Sequence, residues 1–346
     1  LYSNKIMKVA LCFIVNSLHG LVKEKLWLEW IHHNQDIINI YFHYVDKSLI
    51  KSKWVLDHAL PESVVQYSNY KNVISSCVTT MMYAFKHDSE NMWFCFLTER
   101  CVPMCTPEKF RQMFFTCFDK SILKIKYPHW RLDLHTRANL KLINDNLRLV
   151  HDPWFIYTRY HVHLFAKFMK EYESLYVTIN KGGLSNETMF AVVLQTYGEL
   201  DTPEHTNKTN YPFIGSTLMY TNVINASSNT CDWLRMATPT SPHMFEYSSE
   251  EEIIELKKLI NANPFTMFMR KFDKTFTDEE LVKLSNYNTK IPKQVKKIQH
   301  LQSSKLVLNT NNTKHIIYVC VMYIIGVLSL VFVINAIMTP TVVLYQ

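Results

Sequence analysis

Three runs in the first hundred residues are almost free of charge: Lys8–Val15 (KVALCFIV), Ile37–Val45 (IINIYFHYV) and Trp93–Leu97 (WFCFL). Each is too short for a core helix and too apolar for a strand with one wet face. Such runs belong in a sheet covered on both sides. Helical patterns alternate with them. Leu21–His33 turns Leu26, Trp27, Trp30 and Ile31 to one face, Cys77–Lys86 is a second amphipathic stretch, and Thr106–Pro107 opens a third helix that runs to Phe118. Thr suits the N-cap there and Pro the first helical position. A short strand is expected near Val73–Ile74. Alternating strand and helix predicts an α/β half with parallel strands. Ligands in such sheets bind beyond the C-terminal strand ends. Asn16, Asp46 and Thr98–Glu99 fall there.

The second half reads as mixed. Trp154–Thr158 (WFIYT) is strand-like and Tyr160–Tyr172 helical. Ser185-Asn186-Glu187-Thr188 precedes the apolar run Met189–Leu194. That pattern predicts a helix capped by Ser185, with Glu187 in its first turn, where the helix dipole favours a carboxylate. Glu187 is then either a helix-end acid or a general base at a cleft mouth. Strands are expected over Ser216–Val223 and Thr230–Trp233. Ser248-x-x-Glu251 and Ser249-x-x-Glu252 are capping boxes for a helix to Ala262. Phe265–Phe272 is a strand-like run ending beside the cations Arg270 and Lys271, and Thr277-x-x-Glu280 caps a last helix.

Composition excludes some classes. Only 6 glycines are present, and neither a G-x-G-x-x-G nor a phosphate-loop pattern occurs. The net charge of +7 comes almost entirely from six lysines between Lys290 and Lys314. The near-neutral remainder does not read as a nucleic-acid binder. Those lysines precede Ile316–Met338, 23 residues without a charge. A run of this kind is long enough to span a bilayer as a tilted helix. With every flanking lysine on its N-terminal side, it predicts a C-terminal membrane anchor and a cytosolic body. Cys101-x-x-x-Cys105 lacks a second pair at zinc spacing, and His32-His33 and His161-x-His163 lack a third ligand, so no metal site is expected.

A family likeness rests on seven motifs in fixed order: the first strand with its L-W-x-x-W-I helix (Leu26–Ile31), Ile40–Asp46 (IYFHYVD), Trp93–Met104 (WFCFLTERCVPM), His151–Arg159 (HDPWFIYTR), the Glu187 segment, Cys231–Trp233 followed by S-P-H, and Phe268–Asp273 (FMRKFD). In this order residues 8–280 resemble the core-2/I-branching β-1,6-N-acetylglucosaminyltransferase family, including its plant-type branch. The Asn-, Ile-, Lys- and Tyr-rich composition suits an AT-rich genome, such as that of a large DNA virus.

The resemblance implies a GT-A-like nucleotide-sugar transferase fold, a Rossmann-like mixed sheet flanked by helices. Its domain would span 1–285, followed by a basic linker at 286–315, the membrane helix at 316–338 and a short tail at 339–346. It implies inverting transfer of a sugar, by analogy N-acetylglucosamine, from a UDP-sugar donor to a glycan or glycoprotein acceptor, without a metal or other cofactor. No Asp-x-Asp follows an apolar strand, so basic side chains must offset the leaving diphosphate. Glu187 matches the family's catalytic base, Asp46 its nucleotide ligand and Lys271 its diphosphate lysine. The family's second diphosphate cation is missing from its usual place, which leaves Arg235 or Arg270 to serve. Glu99, Trp130 with Arg131, and Trp154 with Arg159 match the acceptor or sugar side. Each has a plainer reading: an ion pair for Glu99 with Arg100 or another base, a strand-end turn for Asp46, core packing for the tryptophans. A membrane-bound protein that keeps this fold without catalysis is the competing expectation. Family members work in the Golgi lumen, which makes a lumenal body the alternative to a cytosolic one; a virion or virus-factory membrane is a third setting.

Overall fold

The computed structural model describes residues 7–15, 18–69, 71–128, 130–200, 223–225, 236–238, 241–242, 244–262, 264–293 and 295–301. One compact unit covers 1–292 and a second 293–346, of which 295–301 is helical. The strands are β1 (Lys8–Ile14), β2 (Ile38–His43), β3 (Asn91–Thr98), β4 (Val102–Pro103), β5 (Ser121–Leu123), β6 (Ile125–Lys126), β7 (Val150–His151), β8 (Ile156–Thr158), β9 (Val223–Asn225), β10 (Met236–Thr238), β11 (Ser241–Pro242) and β12 (Phe268–Met269). The α-helices are α1 (Glu24–His32), α2 (Lys53–Asp57), α3 (Val73–His87), α4 (Pro107–Cys117), α5 (Arg159–Glu171), α6 (Glu173–Lys181), α7 (Met189–Thr196), α8 (Glu250–Ala262) and α9 (Asp278–Tyr287).

The main sheet has the order β2-β1-β3-β8-β5-β9. β1 runs parallel to β2 and β3, β8 is antiparallel to β3 and β5, and β9 is parallel to β5. The chain therefore folds as a mixed α/β sheet whose first three strands form a Rossmann-like half. Strand order reverses at β1, which opens a crevice at the C-terminal ends of β1 and β3.

Alternation along β1 and β3 divides the core. Ala10, Cys12, Ile14, Phe94 and Phe96 pack with Ile74, Cys77, Met81 and Ala84 of α3. On the opposite face Phe13 meets Trp27 edge-on at 5.0 Å, Trp30 meets Phe110 at 4.9 Å and Trp93 meets Phe114 at 5.3 Å. α1 and α4 thus cover that face. The indole N–H groups are not left unpaired: Trp27, Trp30 and Trp93 donate to the carbonyls of Cys101, Cys105 and Cys117. Truncating one such ring to alanine costs about 3–5 kcal/mol.

A further core joins α8 and α9 to α1 and β4 through Leu26, Met104, Leu256, Phe272, Leu281 and Leu284. Two buried lysines pin it. Lys23 Nζ donates to the carbonyls of Lys274 and Phe276 and pairs with Asp278 at 2.8 Å. Lys109 Nζ donates to Asn288 Oδ1 at 2.6 Å, and burial pulls its pKa down. Asn288 in turn donates to the carbonyls of Met104 and Thr266. This clamp fixes β12 beside β4, with Met269 opposite Val102.

Three local expectations change. Val73–Ile74 opens α3 instead of forming a strand, because the Asn69 side chain accepts the Lys71 and Asn72 N–H groups and turns the chain into a helix. Of Phe265–Phe272 only Phe268–Met269 pair as a strand. Ser185 does not cap the next helix. Ser185–Glu187 is a separate 3₁₀ turn after a left-handed Leu184 (φ 48°), and α7 starts at Met189. The strands expected at 216–223 and 230–233 lie outside the described residues, apart from Val223, which begins β9. The membrane span expected at 316–338 lies outside them as well. Among the described residues no helix is long and apolar enough to cross a membrane.

Candidate active site

The register of the sheet sets which residues can meet. Ile14 lies opposite His43 of β2 and Thr98 of β3, so these three strands end flush. β8 returns antiparallel, with Cys95 opposite Ile156 and Phe96 N–H donating to Phe155 O at 3.1 Å. Trp154 is thereby carried to the end where β3 finishes. Glu99 is the first residue past β3, and Asp46 stands three past β2.

Asp46 opens an exposed turn. Its carboxylate accepts from Ser48 Oγ at 2.6 Å and from Ser48 N–H at 2.9 Å, and these bonds hold its pKa below the usual carboxylate range. It lines a cleft of about 790 Å³ with Tyr44, Lys47, Glu62, Gln66 and Tyr67. His43, directly beneath, bonds the Gln66 carbonyl at 3.2 Å, and burial lowers its pKa to about 4. It is neutral at physiological pH.

Glu99 is buried, 7% exposed. Arg100, one of the bases expected to pair with Glu99, is engaged by other partners. Arg100 Nη1 pairs with Asp273 Oδ2 at 3.2 Å and donates to Phe272 O at 3.3 Å. That pairing, with Phe272 N–H donating to Arg100 O, draws the segment after β12 against the end of β3. Lys271 comes with it. Burial lowers the Lys271 pKa first, and the Arg270 and Arg100 charges lower it further, while Glu99 acts in the opposite sense. Two cations and a buried carboxylate thus act on Lys271. Against the carboxylates Glu99 and Asp273 the three cations leave one positive charge over, which favours an incoming anion. The Arg270 guanidinium stands 5.2 Å from the centre of the Trp154 ring, a cation–π contact. Trp154 itself is 7% exposed, and its indole N–H has no hydrogen-bond partner among the described residues.

The Glu187 turn is held beside the start of α3, where Leu184 N–H donates to Lys71 O at 2.8 Å. The turn is anchored by Phe190, whose ring lies 4.6 Å from Phe155 and 5.4 Å from Phe96. Tyr157 Oη donates to Phe190 O at 3.1 Å. Those contacts tie the turn to β3 and β8 at the residues that precede Glu99 and follow Trp154. Glu187 Oε2 is 3.7 Å from Arg137 Nη1, and the Arg137 guanidinium lies 5.1 Å from the Trp130 ring.

Two expected residues stand apart. Arg131 pairs with Asp133 on the surface at 2.5 Å. Arg159 lies at the opposite end of the strands, beside the start of β3. It donates to the carbonyls of Phe85, Asp88 and Asn91 and stacks at 4.1 Å on Phe85, tying α3 to the start of β3. Its company is structural, so it does not share the site. Arg235 lies outside the described residues. Arg100 and Arg137 were not anticipated as site residues. His161 is buried and bonds Ser121 Oγ at 2.5 Å, away from solvent. Among the described residues no three His, Cys, Asp or Glu side chains are grouped to hold a metal.

No family model matches the chain, and no curated protein matches it. Solved structures do match at the level of the backbone. One is described as a 4-diphosphocytidyl-2C-methyl-D-erythritol synthase from Anaerococcus prevotii DSM 20548, at 10% identity and a TM-score of 0.27, covering 55% of this chain and 98% of that one.

Proposed function

We propose that the chain is a GT-A-like glycosyltransferase of the core-2/I-branching type, which moves a sugar from a UDP-sugar to a glycan or glycoprotein acceptor with inversion. The observation that carries this reading is the cationic group of Lys271, Arg270 and Arg100 at the end of β3, beside the buried Glu99. Such a group can offset the charge that grows on a departing nucleoside diphosphate, with no metal required. Arg270 then serves as the second diphosphate cation. Asp46, ionised and acceptor-only, suits ribose or base donors at the neighbouring strand end. Trp154, buried beneath Arg270, holds that guanidinium by a cation–π contact.

Glu187 acts as general base in this reading. It takes the proton of the acceptor hydroxyl as that oxygen bonds the anomeric carbon. The bond from that carbon to the phosphate oxygen breaks, and its electron pair leaves on UDP. The uncharged run at 316–338 is assigned to membrane attachment.

The test is UDP release from UDP-N-acetylglucosamine and other UDP-sugars by the full chain, with a chelator present and water or glycan as acceptor. Release by the wild type, with Glu187→Gln binding UDP yet releasing none, is the expected result. No release and no UDP binding at millimolar nucleotide rejects the proposal.

A further inference from the structure

The Glu187 turn is locked to a loop some fifty residues earlier, and the lock is built from left-handed backbone. Ala138 (φ 51°), Asn139 (φ 49°) and Leu184 (φ 48°) all adopt it. For Ala and Leu this backbone is strained, and it persists only where surrounding contacts fix it. Those contacts are present. Ala138 N–H donates to Gly183 O at 2.9 Å, Leu184 N–H to Lys71 O at 2.8 Å, and Asn139 Nδ2 to Thr178 O at 2.8 Å. Gly182 is pressed so close that a Cβ there would stand 2.1 Å from Asn139 N.

Arg137 immediately precedes the left-handed pair, and Glu187 follows Leu184 by three residues. The two fixed segments thus aim one guanidinium at one carboxylate, 3.7 Å apart, with the Trp130 ring against the guanidinium at 5.1 Å. Neighbouring arginines are committed elsewhere: Arg148 to the carbonyls of Leu140, Lys141 and Ile143, and Arg131 to Asp133.

We infer that Arg137 is a positioning residue, which orients the Glu187 carboxylate toward the acceptor hydroxyl while Trp130 holds the guanidinium in place. The chemical role rests on the glycosyl-transfer reading; the positioning does not. A carboxylate about one-third exposed has several rotamers open to it, and a fixed guanidinium selects among them. A misplaced catalytic group costs rate far out of proportion to the energy of the contact that held it.

Two readouts separate the parts. The first is carbodiimide labelling of Glu187 in the full chain, measured by peptide mass spectrometry with Glu90 as internal control. Arg137→Gln should raise Glu187 labelling about two- to fivefold, the scale of a half-exposed ion pair, and Arg137→Lys by less. Unchanged labelling overturns the inference whatever the enzyme does. The second is UDP release from UDP-N-acetylglucosamine with water as acceptor. Arg137→Ala should lower kcat by about 10²-fold with donor KM nearly unchanged, and added ethylguanidine should restore part of the rate. An active wild type with unchanged kcat in Arg137→Ala also overturns it. Raised labelling in a chain that neither binds UDP nor releases it leaves Arg137 as the orienting partner of Glu187 and rejects the glycosyl-transfer reading instead.

Discussion

The two ends of the β1–β3 sheet treat their charged side chains differently. At the N-terminal end Lys8, Asp88 and Arg159 are each held by close partners. Lys8 pairs with Asp88 at 3.0 Å and Glu90 at 3.5 Å, Asn39 donates to Asp88 and Asn91, and Arg159 is spent on three carbonyls. At the C-terminal end Lys271, Arg270 and Arg100 gather with the carboxylates Glu99 and Asp273, while Asp46 stands on its own exposed turn and Glu187 faces Arg137. The first end is arranged for stability. The second holds three cations against two carboxylates, and the one positive charge left over suits an anion.

Substitutions should expose that difference. The largest effect is expected at Glu187. Glu187→Gln should lower transfer by about 10²–10⁴-fold, the usual share of a general base, with UDP affinity retained; transfer at the wild-type rate would remove Glu187 from the mechanism. Next is Lys271→Ala, which should weaken UDP binding by about 10–100-fold, since a charge-assisted contact is worth about 1.5–3 kcal/mol. Its thermal midpoint should hold or rise, because the substitution relieves repulsion with Arg270 and Arg100. Arg159→Leu should do the opposite. Leaving three carbonyls short of a donor should destabilise the fold by about 1–3 kcal/mol, read by urea titration, without touching nucleotide affinity.

The smallest effect is a pH dependence. Burial pushes the Asp88 carboxyl up, but the Glu90 N–H, Lys8 and Asn39 outweigh it and bring its pKa to about 2. The folded value lies below the unfolded one of about 3.9. The contribution to stability is therefore full above pH 4 and is lost as pH falls towards 2. Asp88→Asn should flatten the stability profile in that window. A slope equal to that of the wild type would show that the network is not coupled to folding.

Much of the N-terminal half is legible in the residues alone. KVALCFIV, IINIYFHYV and WFCFL become β1–β3 because nothing in them suits any place but a covered sheet. Thr106–Pro107 starts α4 as its chemistry requires, with Thr106 Oγ1 accepting the Lys109 N–H. What escapes the sequence depends on contacts between distant segments. Arg137 sits in an irregular loop with no periodicity, and its approach to Glu187 is set by left-handed backbone at 138–139 and 184, which β-branching or hydropathy does not encode. Ser185 has the chemistry of a cap, yet the left-handed Leu184 turns it into the core, where its Oγ lies 3.5 Å from Asn180 Oδ1. Arg159 matches a motif position by spacing, but register puts it at the wrong end of β8. Asp46, Glu99, Trp154, Arg270 and Lys271 were placed from motif order, and the flush ends of the strands give that order a common edge.

The role of the Lys271 cluster at that edge is tested most directly by calorimetric titration of UDP into the full chain, with chelator present, comparing the wild type with Lys271→Ala and Arg159→Leu. Micromolar-to-millimolar binding that Lys271→Ala weakens and Arg159→Leu leaves alone is the predicted result. Binding that is absent, or equal in all three proteins, would contradict it.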